Sequence, residues 1–246
     1  MVTPETLLEV KRVMEAVIVK KLLLLAVVLG FANLSWAGSA RKDAVDRMDN
    51  AAQVLHEILA APDQGIPEEV LESARCVAVV PHMMKGGFIV GAKQGKGVAT
   101  CRTAKGWSAP AFFTVGGGSF GAQIGVEAVD LVMILNEKGM QRLIASKFEI
   151  GGDASAAAGP VGRHASANTD WKLDTEILTY SRAKGAFAGA TLEGASVRRD
   201  DDSTRAIYGS KANTEAVLTG RVRVPASAHI FLTAVGGAQA QAKRKS

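Results

Sequence analysis

Between Glu72 and Glu127 the chain has no acidic residue, although acidic residues are frequent elsewhere in its 246 positions. Aromatic residues are scarce at 5%, which argues against a large aromatic cleft. There are only two cysteines, so a disulfide-dense scaffold is excluded. Neither has another Cys or a His at metal-ligand spacing, and no zinc site or other metal is expected. No Walker A loop and no G-x-S-x-G elbow occurs. The apolar run that starts at Leu22 is shorter than the roughly 20 residues a membrane-spanning helix needs.

What is present is an ordinary globular composition, 48% hydrophobic and 22% charged, with 26 glycines. The beginning of the chain reads as an export signal. Lys20 and Lys21 form a charged region, residues 22–31 an apolar core, and Ser35, Trp36 and Ala37 a small-residue cleavage site. Residues 1–37 are therefore expected to be a signal peptide with an over-long start, translation beginning at Met14 and the mature chain near Gly38. An uncleaved anchor is the alternative. Export implies a periplasmic or membrane-associated envelope location. In that oxidising setting Cys76 and Cys101 form an even pair expected to be a disulfide, with two buried free thiols as the other reading.

Along the rest of the chain, apolar residues at three- and four-residue intervals predict a helix over 41–60, closed by Pro62. A short helix follows Pro67. Residues 76–80, 88–92 and 98–103 then read as short strands in antiparallel hairpins, with longer strands over 107–115 and 120–135. A helix is predicted over 137–147, a small-residue loop over 151–162, strands over 177–180 and 186–197, and helices over 203–208, 214–218 and 225–235. Helices bracketing a glycine-rich, mainly antiparallel sheet make a single α+β domain over residues 38–246.

The chemical motifs are few. Gly116, Gly118 and Gly121 satisfy G-x-G-x-x-G, but the following stretch alternates like a strand and opens no helix, so the glycines read as a turn or bulge and no dinucleotide cofactor is expected. His56, His82, His164 and His229 are scattered. Glu127, Asp130, Asp153, Asp170, Asp174 and Glu176 could supply carboxylates for a hydrolase, yet none sits in a signature, and no enzyme is expected. The acid-free block instead gathers Arg75, Lys85, Lys93, Lys96, Arg102 and Lys105, six cations against a formal net charge of +5 for the whole chain. On one face, beside Trp107, Phe112 and Phe113, they would attract phosphate head groups, at about 1 kcal/mol per basic residue near a charged membrane. The plain alternative is a solvated sheet with lysines on its outer face. Nucleic acid would answer the same charge, but export and the thin aromatic interleaving argue against it.

Several ordered stretches carry a resemblance. Ser73-Ala74-Arg75-Cys76-Val77-Ala78-Val79-Val80-Pro81 is followed by Lys85-Gly86-Gly87-Phe88-Ile89-Val90-Gly91-Ala92, then by Gly118-Ser119-Phe120-Gly121-Ala122-Gln123-Ile124-Gly125. Asp130-Leu131-Val132, Gly151-Gly152-Asp153-Ala154-Ser155 and Tyr208-Gly209 complete the set. Over most of residues 45–235 the chain resembles the SYLF domain family, the Ysc84-related lipid-binding and actin-binding domains, in the form of its exported bacterial branch. The resemblance implies the SYLF fold and phospholipid binding, with phosphatidylinositol lipids as the eukaryotic ligands. Export makes actin an unexpected partner for this chain. The family motifs are glycine and apolar, so the site residues come from charge: Lys85, Lys93, Lys96, Arg102 and Lys105 are expected to contact anionic phospholipid. The amphipathic first helix is a second candidate for membrane contact. An envelope interaction module without a lipid ligand, and a cryptic hydrolase, are the competing readings.

Overall fold

The computed structural model describes residues 20, 38–58, 65–161, 175–183, 186–189, 192 and 194–243. The chain divides into a unit of residues 1–42 and a larger unit of residues 43–246. In the smaller unit residue 20 and residues 38–42 are helical; the predicted export signal otherwise lies outside the described residues. Among the described residues no helix is long and apolar enough to cross a membrane.

The larger unit is an α+β domain. Its first helix, α1, covers residues 43–58 and buries Ala44, Met48, Ala51, Leu55 and Ile58, the spacing of one helical face. Helix α2 (Glu68–Ser73) starts after Pro67, whose ring suits a helix entry. Helices α3 (Glu137–Ile144), α4 (Asp201–Tyr208) and α5 (Thr214–Leu218) are each opened by an Asn or Asp side chain. Asn136, Asp200 and Asn213 accept from the backbone N–H of Gly139, Ser203 and Ala216. A 3-10 turn (Ala226–Ala228) leads into α6 (His229–Lys243).

The sheet differs from the predicted hairpins. Instead of several short strands, β1 runs unbroken from Cys76 to Thr103 and pairs antiparallel with β3 (Ala111–Leu135), with β2 (Gly106–Trp107) closing the turn. Glycines at 86, 87, 95 and 97 let the strand bend without ending it. Register shifts between Val80 and Met83 and between Gly87 and Ile89 absorb the curvature. At the first shift His82 takes a positive φ of 50°, and its freed N–H donates to Asp130 Oδ1 at 2.9 Å. The glycines at 116–118 lie within β3, opposite Gln94, Lys93 and Ala92, and form no turn.

The long ribbon is doubled back on itself. Arg102 N–H donates to Arg75 C=O at 2.8 Å, and Cys76 and Cys101 form a disulfide, so the two ends of β1 meet. Further in, a Cβ added to Gly95 would come within 2.5 Å of Val80 Cγ1 and 3.0 Å of Met83 Cγ. The ribbon therefore bends around residues 84–94 of β1, which face residues 116–128 of β3.

Smaller strands extend the sheet. β6 (Ile177–Ala183) pairs with one end of β3, and β8 (Ser196–Arg199) pairs with the other. β4 (Lys147–Glu149) adds to β8, and β7 (Ala186–Gly189) adds to β6. β5 (Ala156–Ala158) joins β6 in a parallel pairing, which the predicted loop over 151–162 did not foresee. Lys147, predicted as the end of a helix, instead begins β4, and the predicted strand over 186–197 is divided between β7 and β8.

Side-chain alternation buries the sheet on both faces. Val77, Val79, Val98, Phe112, Val132 and Ile134 pack against α1, α2, α4 and α6 in one core. Ala78, Val80, Met83, Leu131 and Met133 pack with residues of α3, α5 and β8 in the other, which also holds the disulfide.

Candidate functional site

The structure separates the basic block into three groups. Lys85 stands opposite Glu127, and Lys93 stands opposite Gly117, on either side of the ribbon's bend. The Lys93 stem lies over Gly117, whose added Cβ would be 3.4 Å from Lys93 Cε. Lys93 is only 8% exposed. Burial lowers its ammonium below the ordinary value of 10.5, and the neighbouring positive charge of Lys85 lowers it further. Two cations are thus brought together, one of them partly desolvated.

The remaining cations have other surroundings. Lys96 is exposed and its Nζ lies 3.8 Å from Asp43 Oδ2. Arg102 works within the fold: its Nε donates to Ala74 C=O at 2.9 Å, and its Nη2 donates to Leu71 and Glu72 C=O at 3.1 and 3.2 Å. Those carbonyls close α2, where a cation also suits the helix dipole. The guanidinium lies 5.0 Å from the Trp107 ring centre. Lys105 sits exposed in the turn between β1 and β2. Arg75 pairs with Glu137 at 2.8 Å. From Lys93 to Thr103 the strand rises about 30 Å, well beyond a Debye length at physiological salt. Arg102 and Lys105 are therefore electrostatically separate from Lys93. Of the aromatic residues expected beside the patch, Phe112 and Phe113 are buried in opposite cores.

Sequence reasoning missed a buried polar cluster. Arg47 on α1 is 4% exposed. Its Nη1 donates to Asp200 Oδ2 at 3.0 Å and to Gly97 C=O at 3.3 Å, its Nη2 reaches Ser203 Oγ at 3.2 Å, and its guanidinium lies 5.2 Å from the Phe112 ring centre. Burial pushes the Asp200 carboxyl up, but hydrogen bonds from Ser203 and the Arg47 charge outweigh it and hold the group below the usual carboxylate value. The signal available in the sequence was an arginine amid the apolar spacing of α1. Its partner at position 200 is too distant along the chain to foresee.

Three of the carboxylates considered for hydrolysis, Asp130, Asp153 and Glu176, are engaged in structural contacts. Asp130 accepts from Arg182 at 2.8 Å, and Arg182 also pairs with Glu57. Glu176 pairs with Arg142, and Asp153 accepts from Glu149 N–H at 2.8 Å. Asp170, Asp174 and His164 lie outside the described residues. His56, His82 and His229 are each exposed on separate elements. Among the described residues no group of His, Cys, Asp and Glu could hold a metal ion.

The family model described as "Ysc84: Las17-binding protein actin regulator" matches residues 116–238, from β3 through most of α6. The chain belongs to the Ysc84 family. Protein YSC84 of Saccharomyces cerevisiae is 35% identical over 192 residues, covering 74% of this chain and 41% of the relative. LAS seventeen-binding protein 3 from the same species is 33% identical over 168 residues, 66% of this chain and 36% of the relative. The human SH3 domain-containing YSC84-like protein 1 is 32% identical over 186 residues, 72% of this chain and 54% of its own length. The Ysc84-family chain described here thus spans between about a third and a half of these relatives. No solved structure matches it. The expectation against actin finds no support in these likenesses, because the family description names an actin regulator. The five basic residues singled out from charge all precede the matched span.

Proposed function

We propose that this Ysc84-family chain is a non-catalytic domain that docks on anionic phospholipid at a cell-envelope membrane. The observation that carries this reading is the Lys85–Lys93 pair. A phosphate would add a charge-assisted acceptor for both ammonium groups, beside the partly desolvated Lys93 and the neighbouring Lys85. Lys96 and Lys105, both exposed, add weaker long-range attraction, while Arg102 serves the fold. Residues 1–37 act as the export signal and residues 38–246 as the exported domain, in the periplasm or on an envelope membrane. The buried disulfide supports an oxidising location. Co-sedimentation with vesicles of increasing phosphatidylglycerol content tests the proposal: bound fraction rises with anionic content, and equal binding to pure phosphatidylcholine would sink it.

A protein-interaction role is the second reading, favoured by relatives named for binding Las17 and by the family description. In that case the chain retains a stoichiometric protein partner on purification and sediments with no vesicle.

A further inference from the structure

Cross-strand register lines up a row of side chains over four strands. Lys147 of β4 stands opposite Arg198 of β8, Arg198 opposite Thr114 of β3, and Thr114 opposite Lys96 of β1. Directly opposed residues share a face of the sheet, so the four positions form one line about 14 Å long, three strand spacings across. One row back on that face, Val98 and Phe112 are buried in the first core. At the row itself the cover ends: Lys147, Arg198 and Lys96 are exposed and Thr114 is half-buried. One row further on stand Gln94, Gly116, Ser196 and Glu149, so this part of the face carries no large apolar side chain.

The pairing of Lys147 with Arg198 is unfavourable in itself, because like charges directly opposite on neighbouring strands repel. Other arginines of the larger unit are answered within the fold: Arg47 by Asp200, Arg75 by Glu137, Arg142 by Glu176 and Arg182 by Asp130. Among the described residues neither Lys147 nor Arg198 has an ion pair or a side-chain hydrogen bond. Two acids stand beside the row and neither answers this pair. Asp43 lies 3.8 Å from Lys96 at the far end, and the Glu149 side chain lies against the turn at Gly152, whose added Cβ would be 3.7 Å from Glu149 Cβ.

We propose that this row is a docking surface for an acidic polypeptide segment of a partner protein, in which carboxylates meet Lys147 and Arg198 and the contact extends over Thr114 towards Lys96. The fit is one of charge and spacing: two cations about 5 Å apart on neighbouring strands match carboxylates one helical turn apart. A bilayer suits this face less, because it offers no large apolar side chain to the acyl boundary. The surface stands independently of the lipid reading, since Lys93, three positions before Lys96 in unbroken register, lies on the other face of the ribbon. It gives the protein-interaction reading a place on the fold and a partner chemistry.

The test is fluorescence anisotropy of a labelled oligo-glutamate peptide titrated with the full chain at low salt. The Lys147→Gln, Arg198→Gln variant is compared with Lys105→Gln, Arg223→Gln, which removes two exposed cations elsewhere. The first weakens peptide affinity by about tenfold and the control by about twofold or less. The first also melts no lower than the parent, since it relieves a like-charge pair. Failure of the parent to bind the peptide, or an equal loss in both variants, overturns the proposal. So does a lowered melting temperature in Lys147→Gln, Arg198→Gln, which would assign the two cations to the fold. The same proteins are sedimented with phosphatidylglycerol vesicles. Vesicle binding lost in Lys147→Gln, Arg198→Gln while peptide binding stays intact assigns the row to lipid and overturns the proposal as well.

Discussion

Reduction of the Cys76–Cys101 disulfide is the perturbation whose size follows most directly from the fold. The bond joins residues 25 apart, both fully buried in the second core, where the ribbon's two ends meet. Closing a loop of this length removes entropy from the unfolded chain worth about 3.5 kcal/mol at 25 °C on the chain-entropy relation. Among the described residues the same seam retains the Arg102–Arg75 backbone bond and the Arg102 side-chain bonds to three carbonyls. Those contacts keep the native arrangement once formed, so the reduced protein is expected to fold, with lower stability. The assay is urea unfolding followed by circular dichroism, on oxidised protein and on the Cys76→Ala, Cys101→Ala double variant. The midpoint falls by the urea concentration corresponding to about 3 kcal/mol, with the slope rising as the unfolded chain becomes freer. A midpoint unchanged within error would refute the view that the disulfide constrains this seam.

Three further outcomes are expected. Arg47→Met, which leaves Asp200 without its cation, costs about 3–5 kcal/mol in the same unfolding assay, and the Arg47→Met, Asp200→Asn pair costs clearly less than the sum of the singles. Arg102→Ala lowers stability by about 1.5–3 kcal/mol through the lost bonds to α2, whereas Lys105→Ala leaves the midpoint unchanged. Because Lys93 releases its proton more readily than an ordinary lysine, its charging penalty in the folded state is present below its lowered folded value. That penalty fades as pH rises from there towards 10.5. Vesicle binding measured by co-sedimentation therefore weakens at a lower pH in the native protein than in Lys93→Arg.

The elements were legible where local chemistry set them. The apolar face of α1, Pro67 at α2, and Asp200 and Asn213 at the heads of α4 and α5 all act within a few residues, and their helices formed close to the predicted positions. The sheet was misread for a physical reason. Glycines such as Gly86 and Gly95 look like strand ends, but here they allow one strand to curve through a continuous ladder, and His82 absorbs the first register shift. Cys76 and Cys101 were identified as a pair because few alternatives existed. The proposed grouping of Lys85 with Lys93 required the ribbon's bend, and the role of Arg102 required knowing that α2 ends beside the end of β1. Neither can be read from charge density along the chain.

The central claim is that Lys85 and Lys93 form the anion-binding site. It is tested most directly by vesicle co-sedimentation of the Lys85→Glu, Lys93→Glu double variant beside a Lys96→Glu, Lys105→Glu control, each with its melting temperature recorded. The account predicts that binding to phosphatidylglycerol vesicles is lost in the first and only modestly reduced in the second, both remaining folded. Binding equal to the parent in a folded Lys85→Glu, Lys93→Glu protein would contradict it.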